Sequence, residues 1–206
     1  MLGPNCAGMA SLPEGVNAMG WAMNPGRVGL IAQSGNVALH LGHLAGTHGG
    51  GFSRAVTIGN ACDLGVADLI SYYLADPETN VILVYVEGWR EGEGRAFIDA
   101  VLSSGSCKPI LLCSPGRTQS GQRAALSHTG ALAGQARIVD GACKQAGILR
   151  VDDIEDAWLL ANALSAGRLP TSNNVCVLTD GGGHATLACD ALDINELQAQ
   201  PLSEPT

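Results

Sequence analysis

The sequence is poor in aromatic and in basic residues. Aromatic side chains make up 4% of the 206 residues, and 11 Lys and Arg stand against 19 Asp and Glu, for a net charge of −8. A chain without a basic stripe or aromatic stacking platforms is poorly suited to nucleic acid, so we expect no nucleic-acid partner. The acidic balance does not exclude phosphorylated ligands, because backbone amides at helix N-termini can bind them.

Long apolar runs are also missing, and we expect no targeting segment. No stretch approaches the ~20 apolar residues of a membrane helix, and the start MLGPNCAG lacks the regions of a signal peptide. The seven cysteines are odd in number and contain no CxxC pair, which predicts buried, reduced thiols. His40 and His43 have no Cys or carboxylate nearby to complete a site, so we expect no metal. These absences predict a cytoplasmic protein without a membrane partner.

What the sequence does contain is an alternation of two patterns. Short apolar segments at 27–33, 53–59, 80–87, 108–114 and 148–153 alternate with segments of helical periodicity at 37–49, 65–76, 93–105, 135–147 and 154–167. This alternation predicts βαβ units, hence an α/β fold with a parallel sheet. The run VILVYV is apolar at every position, which indicates helices on both faces of the sheet.

Composition divides the chain into three parts. Residues 1–25 show no periodicity and are interpreted as an N-terminal arm, and residues 26–168 as the α/β domain. LPTSNN at 169–174 is typical of a linker, and a strand, a Gly-rich turn and a helix follow it. These last residues are too few for a domain, so 169–206 is interpreted as a linker and the start of a second α/β domain.

Three strand ends carry candidate chemistry, since ligands of open α/β sheets bind at the carboxyl ends of the strands. Ser34, Gly35 and Asn36 follow the first strand, where a capped helix start makes an anion site. Glu87 ends the third strand, and Asp63 after the second strand is expected only to cap the next helix. Taken alone, Ser34 also fits an ordinary helix cap and Glu87 an ordinary surface charge.

The fourth strand leads into a long, glycine-punctuated loop that contains ALSHTGALAG. Loops of this length inside a compact domain are usually functional. His128 is the only imidazole in the loop, and a histidine that is largely neutral at pH 7 can act as a nucleophile. An ordinary surface histidine remains the alternative from the residues alone.

The motifs together resemble a known family. In order they are GPNCAGM, PGRVGLIAQSGN, the IGN–D turn, VILVYVEG, GRT–SG–RAALSHTGALAG and QAGILRVDDIEDAW. In this combination the chain resembles the NDP-forming acyl-CoA synthetases, which include ADP-forming acetyl-CoA synthetase and the alpha subunit of succinyl-CoA synthetase. The resemblance implies a flavodoxin-like fold and a fragment of a larger enzyme. Residues 1–25 would then be the end of its CoA-binding domain.

The resemblance also implies roles for the residues. His128 would carry a transient phosphoryl group, and Glu87 would orient it. Ser34, Gly35 and Asn36 would cradle phosphate, with Ser127, Thr129 and Gly130 flanking the histidine. CoA and ATP or ADP with magnesium would be substrates that reach this chain through absent CoA-binding and ATP-grasp domains, in an oligomeric enzyme.

The chain also departs from the family pattern. Asp180 and His184 replace residues of the usual turn of the third domain, and CSP at 113–115 stands where many relatives carry a lysine. Two other functions stay open: a non-catalytic acyl-CoA-binding or regulatory module of a fused acyltransferase, and a flavin-binding flavodoxin. The retained His128 argues against the first. AQSGN lacks the several hydroxyls expected of an FMN phosphate loop, which argues against the second.

Overall fold

The computed structural model describes residues 1–118, 120–121, 123, 136–167 and 170–200. It divides into two compact units, Met1–Gly167 and Arg168–Thr206. The described part of the chain contains no helix with the length and apolar character needed to cross a membrane.

The first unit is built on a seven-stranded sheet with the order β2-β1-β4-β3-β5-β6-β7. Its strands are β1 (Met9–Ser11), β2 (Val16–Asn17), β3 (Pro25–Ala32), β4 (Phe52–Thr57), β5 (Val81–Tyr85), β6 (Ile110–Cys113) and β7 (Leu149–Val151). The five strands β3 to β7 are parallel, with Leu30 beside Leu83 and Tyr85 beside Cys113. The predicted parallel sheet is therefore confirmed.

Helices cover both faces of this sheet, as the apolar strands predict. The described helices of this unit are α1 (Gly35–His48), α2 (Val66–Ala75), α3 (Glu93–Ser103), α4 (Ala136–Ala146) and α5 (Ile154–Ser165). One core cluster contains residues of α1 and α5, including Leu41 and Trp158, and the other contains residues of α2, α3 and α4, including Ile70, Phe97 and Cys143. This arrangement confirms the flavodoxin-like α/β fold.

The N-terminal arm contains strands that its sequence pattern did not predict. β1 and β2 form an antiparallel pair, and β1 extends the sheet by pairing antiparallel with β4. Strands of two and three residues are too short to show periodicity. Their pairing depends on the exposed edge of β4, which exists only in the folded sheet.

Two local predictions were wrong. Asp63 does not cap α2, whose N-cap is Gly65. The amide of Val66 instead donates to the side chain of Glu93, the first residue of α3, at 3.1 Å.

The predicted burial of the cysteines was the second wrong prediction. Of the seven cysteines, all described and all free, only Cys113 and Cys143 are buried. Burial raises the pKa of Cys113 to about 11, so its thiol stays protonated and unreactive at neutral pH.

The second unit contains β8 (Asn174–Val175), α6 (Gly182–Ile194) and β9 (Gln198–Ala199), with the two strands parallel. This βαβ arrangement agrees with the predicted strand, glycine turn and helix. None of the residues of α6 is buried, and Leu187 and Ile194 are largely exposed. His184 lies in the first turn of α6.

Candidate functional site

The first part of the site is the start of α1 at the carboxyl end of β3. Ser34 is the N-cap, as predicted, and its side chain accepts a hydrogen bond from the amide of Val37 at 3.4 Å. The amides of Gly35 and Asn36 precede the first intrahelical bond, so they are open to an anionic ligand. A Cβ on Gly35 would lie 2.9 Å from the Cβ of Ala7, so glycine permits the close approach of the N-terminal arm.

The sheet topology opens a cleft beside this helix start. β3 has β4 on one side and β5 on the other, and the helices that follow β3 and β5, α1 and α3, pack into core clusters on opposite faces of the sheet. Such a switch point leaves a crevice at the carboxyl ends of the strands. The cleft has a volume of about 930 Å³ and is lined by residues 5–7, 33–36, 59–60 and 87–91.

Glu87 lies in this cleft, two residues beyond the end of β5 rather than at the predicted last strand position. Beyond the strand, the amides of Glu87 and Gly88 donate to the side-chain oxygen of Gln33, at 2.7 and 3.1 Å. The hydroxyl of Tyr85 donates to Glu87 Oε1 at 3.3 Å. Burial, with smaller effects of Glu87 and Cys113, raises the pKa of Tyr85, so this donor keeps its proton.

Gln33 was missed by reasoning from the sequence. Its backbone amide donates to the carbonyl of Tyr85 at 2.9 Å, and its side chain holds the two amides that follow β5. It therefore joins the ends of the two strands that form the switch point. Its position directly before Ser34 in AQSGN was the available indication, but an amide side chain there has no distinctive pattern.

The N-terminal arm forms another wall of the cleft. The amides of Asn60 and Cys62 donate to the carbonyls of Pro4 and Gly3, at 2.9 and 3.1 Å. Gly59 has a positive φ of 53°, and a Cβ there would lie 2.3 Å from the carbonyl oxygens of Pro4 and Asn5. Glycine at 59 is therefore required for the arm to dock.

We expect Gly59→Ala to displace the arm, because the added Cβ overlaps its backbone. The free energy of unfolding should fall by about 1–3 kcal/mol, and hydrogen exchange at the Asn60 and Cys62 amides should accelerate. Gly49→Ala is the matched control, since Gly49 also has a positive φ of 77° but no neighbour within 4 Å of a Cβ. Equal exchange at these amides in the two variants would contradict the role assigned to Gly59.

The predicted residues Ser127, His128, Thr129 and Gly130 lie outside the described residues. The chain on either side of that segment is described. Arg150 donates to the carbonyls of Ser114 and Ala136, at 3.4 and 3.1 Å, and to Asp140 at 2.8 Å. One side chain thus joins the chain before the segment to the chain after it. Because β5 and β6 are parallel neighbours, the carboxyl end of β6 shares the sheet edge of Glu87.

The other histidines do not join this cleft. His40, His43 and His48 are exposed on α1, and none of them is among the described lining residues of the cleft. In the described residues no group of three or more His, Cys, Asp or Glu side chains is arranged to hold a metal ion.

Comparison with known proteins finds similar chains. Residues 25–164 match the family model described as succinyl-CoA ligase like flavodoxin domain. The chain is 37% identical to acetate–CoA ligase [ADP-forming] I subunit alpha of Pyrococcus furiosus, over 94% of this chain and 42% of that protein. It is 34% identical to the corresponding II subunit alpha of that organism, over 100% of this chain and 45% of that protein.

A solved structure is also similar over the whole chain. The dinucleotide forming acetyl-coenzyme A synthetase 1 of Ca. Korarchaeum cryptofilum, in complex with phosphate and ADP, is 39% identical, with a TM-score of 0.86. The match covers 100% of this chain and 44% of that one. The chain therefore spans less than half of the length of these relatives.

Proposed function

Because the chain belongs to the family of succinyl-CoA ligase like flavodoxin domains, we propose that it is the phosphohistidine-bearing part of an NDP-forming acyl-CoA synthetase. The observation that carries this proposal is the cleft at the β3–β5 switch point. That cleft brings Glu87 and the N-terminus of α1 together, at the sheet edge where the chain leaves β6 toward His128.

The proposed reaction has three displacements. A phosphate oxygen attacks the thioester carbonyl of acyl-CoA, the C–S bond breaks and CoA leaves as the thiol. A ring nitrogen of His128 then attacks phosphorus in the acyl phosphate, the P–O bond breaks and the carboxylate leaves. Finally the terminal phosphate of an NDP attacks the phosphohistidine, the N–P bond breaks and NTP forms. Run in reverse, the same steps make acyl-CoA from the acid.

The residues of the cleft have separate roles in this proposal. The amides of Gly35 and Asn36, after the Ser34 cap, hold the phosphoryl oxygens, and the positive end of the α1 dipole stabilises their charge. Glu87 orients the imidazole of His128 and fixes its tautomer. Ser127, Thr129 and Gly130 flank the phosphorylated ring. Phosphoryl transfer depends mainly on such positioning and charge stabilisation.

The remaining parts of the reaction belong to the rest of the protein. We propose a CoA-binding domain and an ATP-grasp domain, in the same chain or on a partner subunit, that supply CoA and magnesium-bound ATP or ADP. In this proposal residues 1–25 are the end of the CoA-binding domain and residues 169–206 begin a second flavodoxin-like domain. The isolated chain is then inactive, and the complete enzyme is an oligomer.

The test uses the complete protein with its partner domains. Incubation with γ-labelled ATP should place one acid-labile, base-stable label on the peptide that contains His128. Adding ADP should remove that label as ATP. Turnover of acyl-CoA with phosphate and ADP but without any label on His128 would overturn the phosphohistidine mechanism. Acyl-CoA binding with neither label nor turnover would favour the non-catalytic module.

A further inference from the structure

The cleft contains one cation in acidic surroundings. Among the described residues that line it, Arg90 is the only one with a positive charge, and Glu87 and Glu91 are the only ones with a negative charge. The Arg90 side chain is 45% exposed, so it is accessible to a ligand. Apart from Arg90, an anion that enters this cleft meets two carboxylates and only the partial positive charge of the α1 N-terminus. Arg90 therefore supplies the full positive charge that the start of α1 lacks.

The guanidinium of Arg90 is held in place from two sides. Glu93, whose side chain is only 8% exposed, accepts from Arg90 Nε at 3.4 Å and from a terminal nitrogen at 3.3 Å. The other terminal nitrogen donates to the carbonyl of Ala61. The Arg90 side chain therefore links the turn after β5 to the loop after β4, and both of these segments border the cleft.

The packing around this pair leaves it little freedom. Glu93 also accepts from the backbone amides of Arg90 and Val66, each at 3.1 Å. A Cβ on Gly65 would lie 2.3 Å from the Glu93 carboxylate and 2.5 Å from the Arg90 guanidinium. Glycine at 65 therefore lets the ion pair pack directly against the backbone. A guanidinium fixed in this way loses little freedom when it binds a ligand.

Two donors of Arg90 remain for that ligand. A guanidinium has five N–H groups, and three of them are used here. The Nε–H and one N–H of a terminal nitrogen donate to Glu93, and one N–H of the other terminal nitrogen donates to the carbonyl of Ala61. One N–H on each terminal nitrogen has no acceptor among the described residues. Arginine donors of this kind bind phosphate and carboxylate oxygens with geometric selectivity.

We propose that Arg90 binds the oxyanion of the substrate in this cleft, namely inorganic phosphate and the phosphoryl group of the acyl phosphate formed from it. Arg90 and the α1 amides then share the phosphoryl oxygens, and Glu93 is the positioning residue that orients Arg90. The inference deepens the proposed function and rests on it. The carboxylate of the acid substrate offers similar oxyanion chemistry, so the experiment measures phosphate and acid separately.

The experiment compares Arg90→Gln with Arg95→Gln in the complete enzyme. Arg95 is 82% exposed, pairs with Asp99 on the surface of α3 and does not line the cleft. In the direction from acyl-CoA to ATP, Arg90→Gln should raise KM for phosphate roughly 10- to 100-fold, the effect of losing hydrogen bonds to a charged group. KM for ADP in the same direction, and KM for the acid in the direction that makes acyl-CoA, should each change less than about threefold. Arg95→Gln should change none of these constants.

Three results would overturn the inference. They are an unchanged KM for phosphate in Arg90→Gln, a rise in KM for the acid alone, and an equal rise for every substrate, which indicates general distortion of the cleft. Circular dichroism verifies that Arg90→Gln is folded. If it is poorly folded, Arg90→Lys replaces it in the experiment. Because lysine keeps the charge but not the shape of the guanidinium, this variant should retain only part of the phosphate affinity of the unmodified enzyme.

Direct titration of the complete protein with inorganic phosphate separates this inference from the proposed function. Weaker phosphate binding in Arg90→Gln supports the Arg90 site even if His128 is never labelled. Unchanged phosphate binding overturns the Arg90 site even if His128 is labelled as proposed.

Discussion

His128→Asn is expected to lower turnover of the complete enzyme by at least about a thousandfold, because removing a covalent nucleophile removes the step that it carries. The acid-labile label should disappear with the activity. Initial rates in both directions, with label counted on the same samples, measure the effect. His40→Asn is the matched control, since His40 is exposed on α1 and does not line the cleft. It should leave both quantities unchanged.

Glu87→Gln belongs to the same experiment and should have a smaller effect. The glutamine keeps the length of the side chain but loses the charge that orients and stabilises the imidazole. Label should still appear on His128, more slowly than in the unmodified enzyme. A His128→Asn enzyme that retains normal turnover would contradict the whole scheme. A Glu87→Gln enzyme with a normal labelling rate would contradict only the role of Glu87.

Arg54→Met is expected to lower the free energy of unfolding by about 3–5 kcal/mol, the usual effect of leaving a buried charge without its partner. Arg54 donates to Asp76 at 3.1 and 3.2 Å, and the two side chains are only 9% and 4% exposed. Arg54 also pairs with Glu14 and Ser11 of the N-terminal arm. Urea unfolding followed by circular dichroism measures the loss.

The loss should depend on pH in a defined direction. Burial by itself raises the pKa of Asp76, but hydrogen bonds from Arg54 and Thr79 outweigh it and hold the pKa below its usual value. A lowered pKa contributes stability that is present above about pH 4 and lost as the pH falls further. Below that pH the protonated Asp76 no longer forms an ion pair with Arg54, so the unmodified protein loses the advantage that the pair gives it. The difference between the two proteins should therefore stay nearly constant from pH 7 to about pH 4 and shrink as the pH falls further.

Arg27→Met provides the control for a surface pair. Arg27 and Glu78 are 2.9 Å apart, but their side chains are 49% and 42% exposed. Exposed pairs contribute only about 0–1 kcal/mol, so this variant should unfold almost as the unmodified protein does. A similar loss of stability in Arg27→Met and Arg54→Met would show that burial does not set the strength of the Arg54–Asp76 pair.

The sequence predicted the elements with strong local patterns. The apolar run at 80–87 predicted β5, and the period at 37–49 predicted α1, because both patterns are determined by which faces of an element are buried. Ser34 as the cap of α1 followed from the same local reasoning, since a hydroxyl before a helical segment satisfies a nearby amide. Resemblance of the ordered motifs then indicated the family, which the comparisons confirm, and the role of His128, which stays a prediction.

The folded structure alone decided which distant residues meet. The strands of the N-terminal arm form because β4 has a free edge, and the amide of Glu87, beyond β5, donates to Gln33, which lies more than 50 residues earlier. Arg90 becomes a substrate-binding candidate because Glu93 and Ala61 orient it. Local sequence determines which faces are apolar and where helices begin. Hydrogen bonds between separate loops depend on strand order, which no single segment encodes.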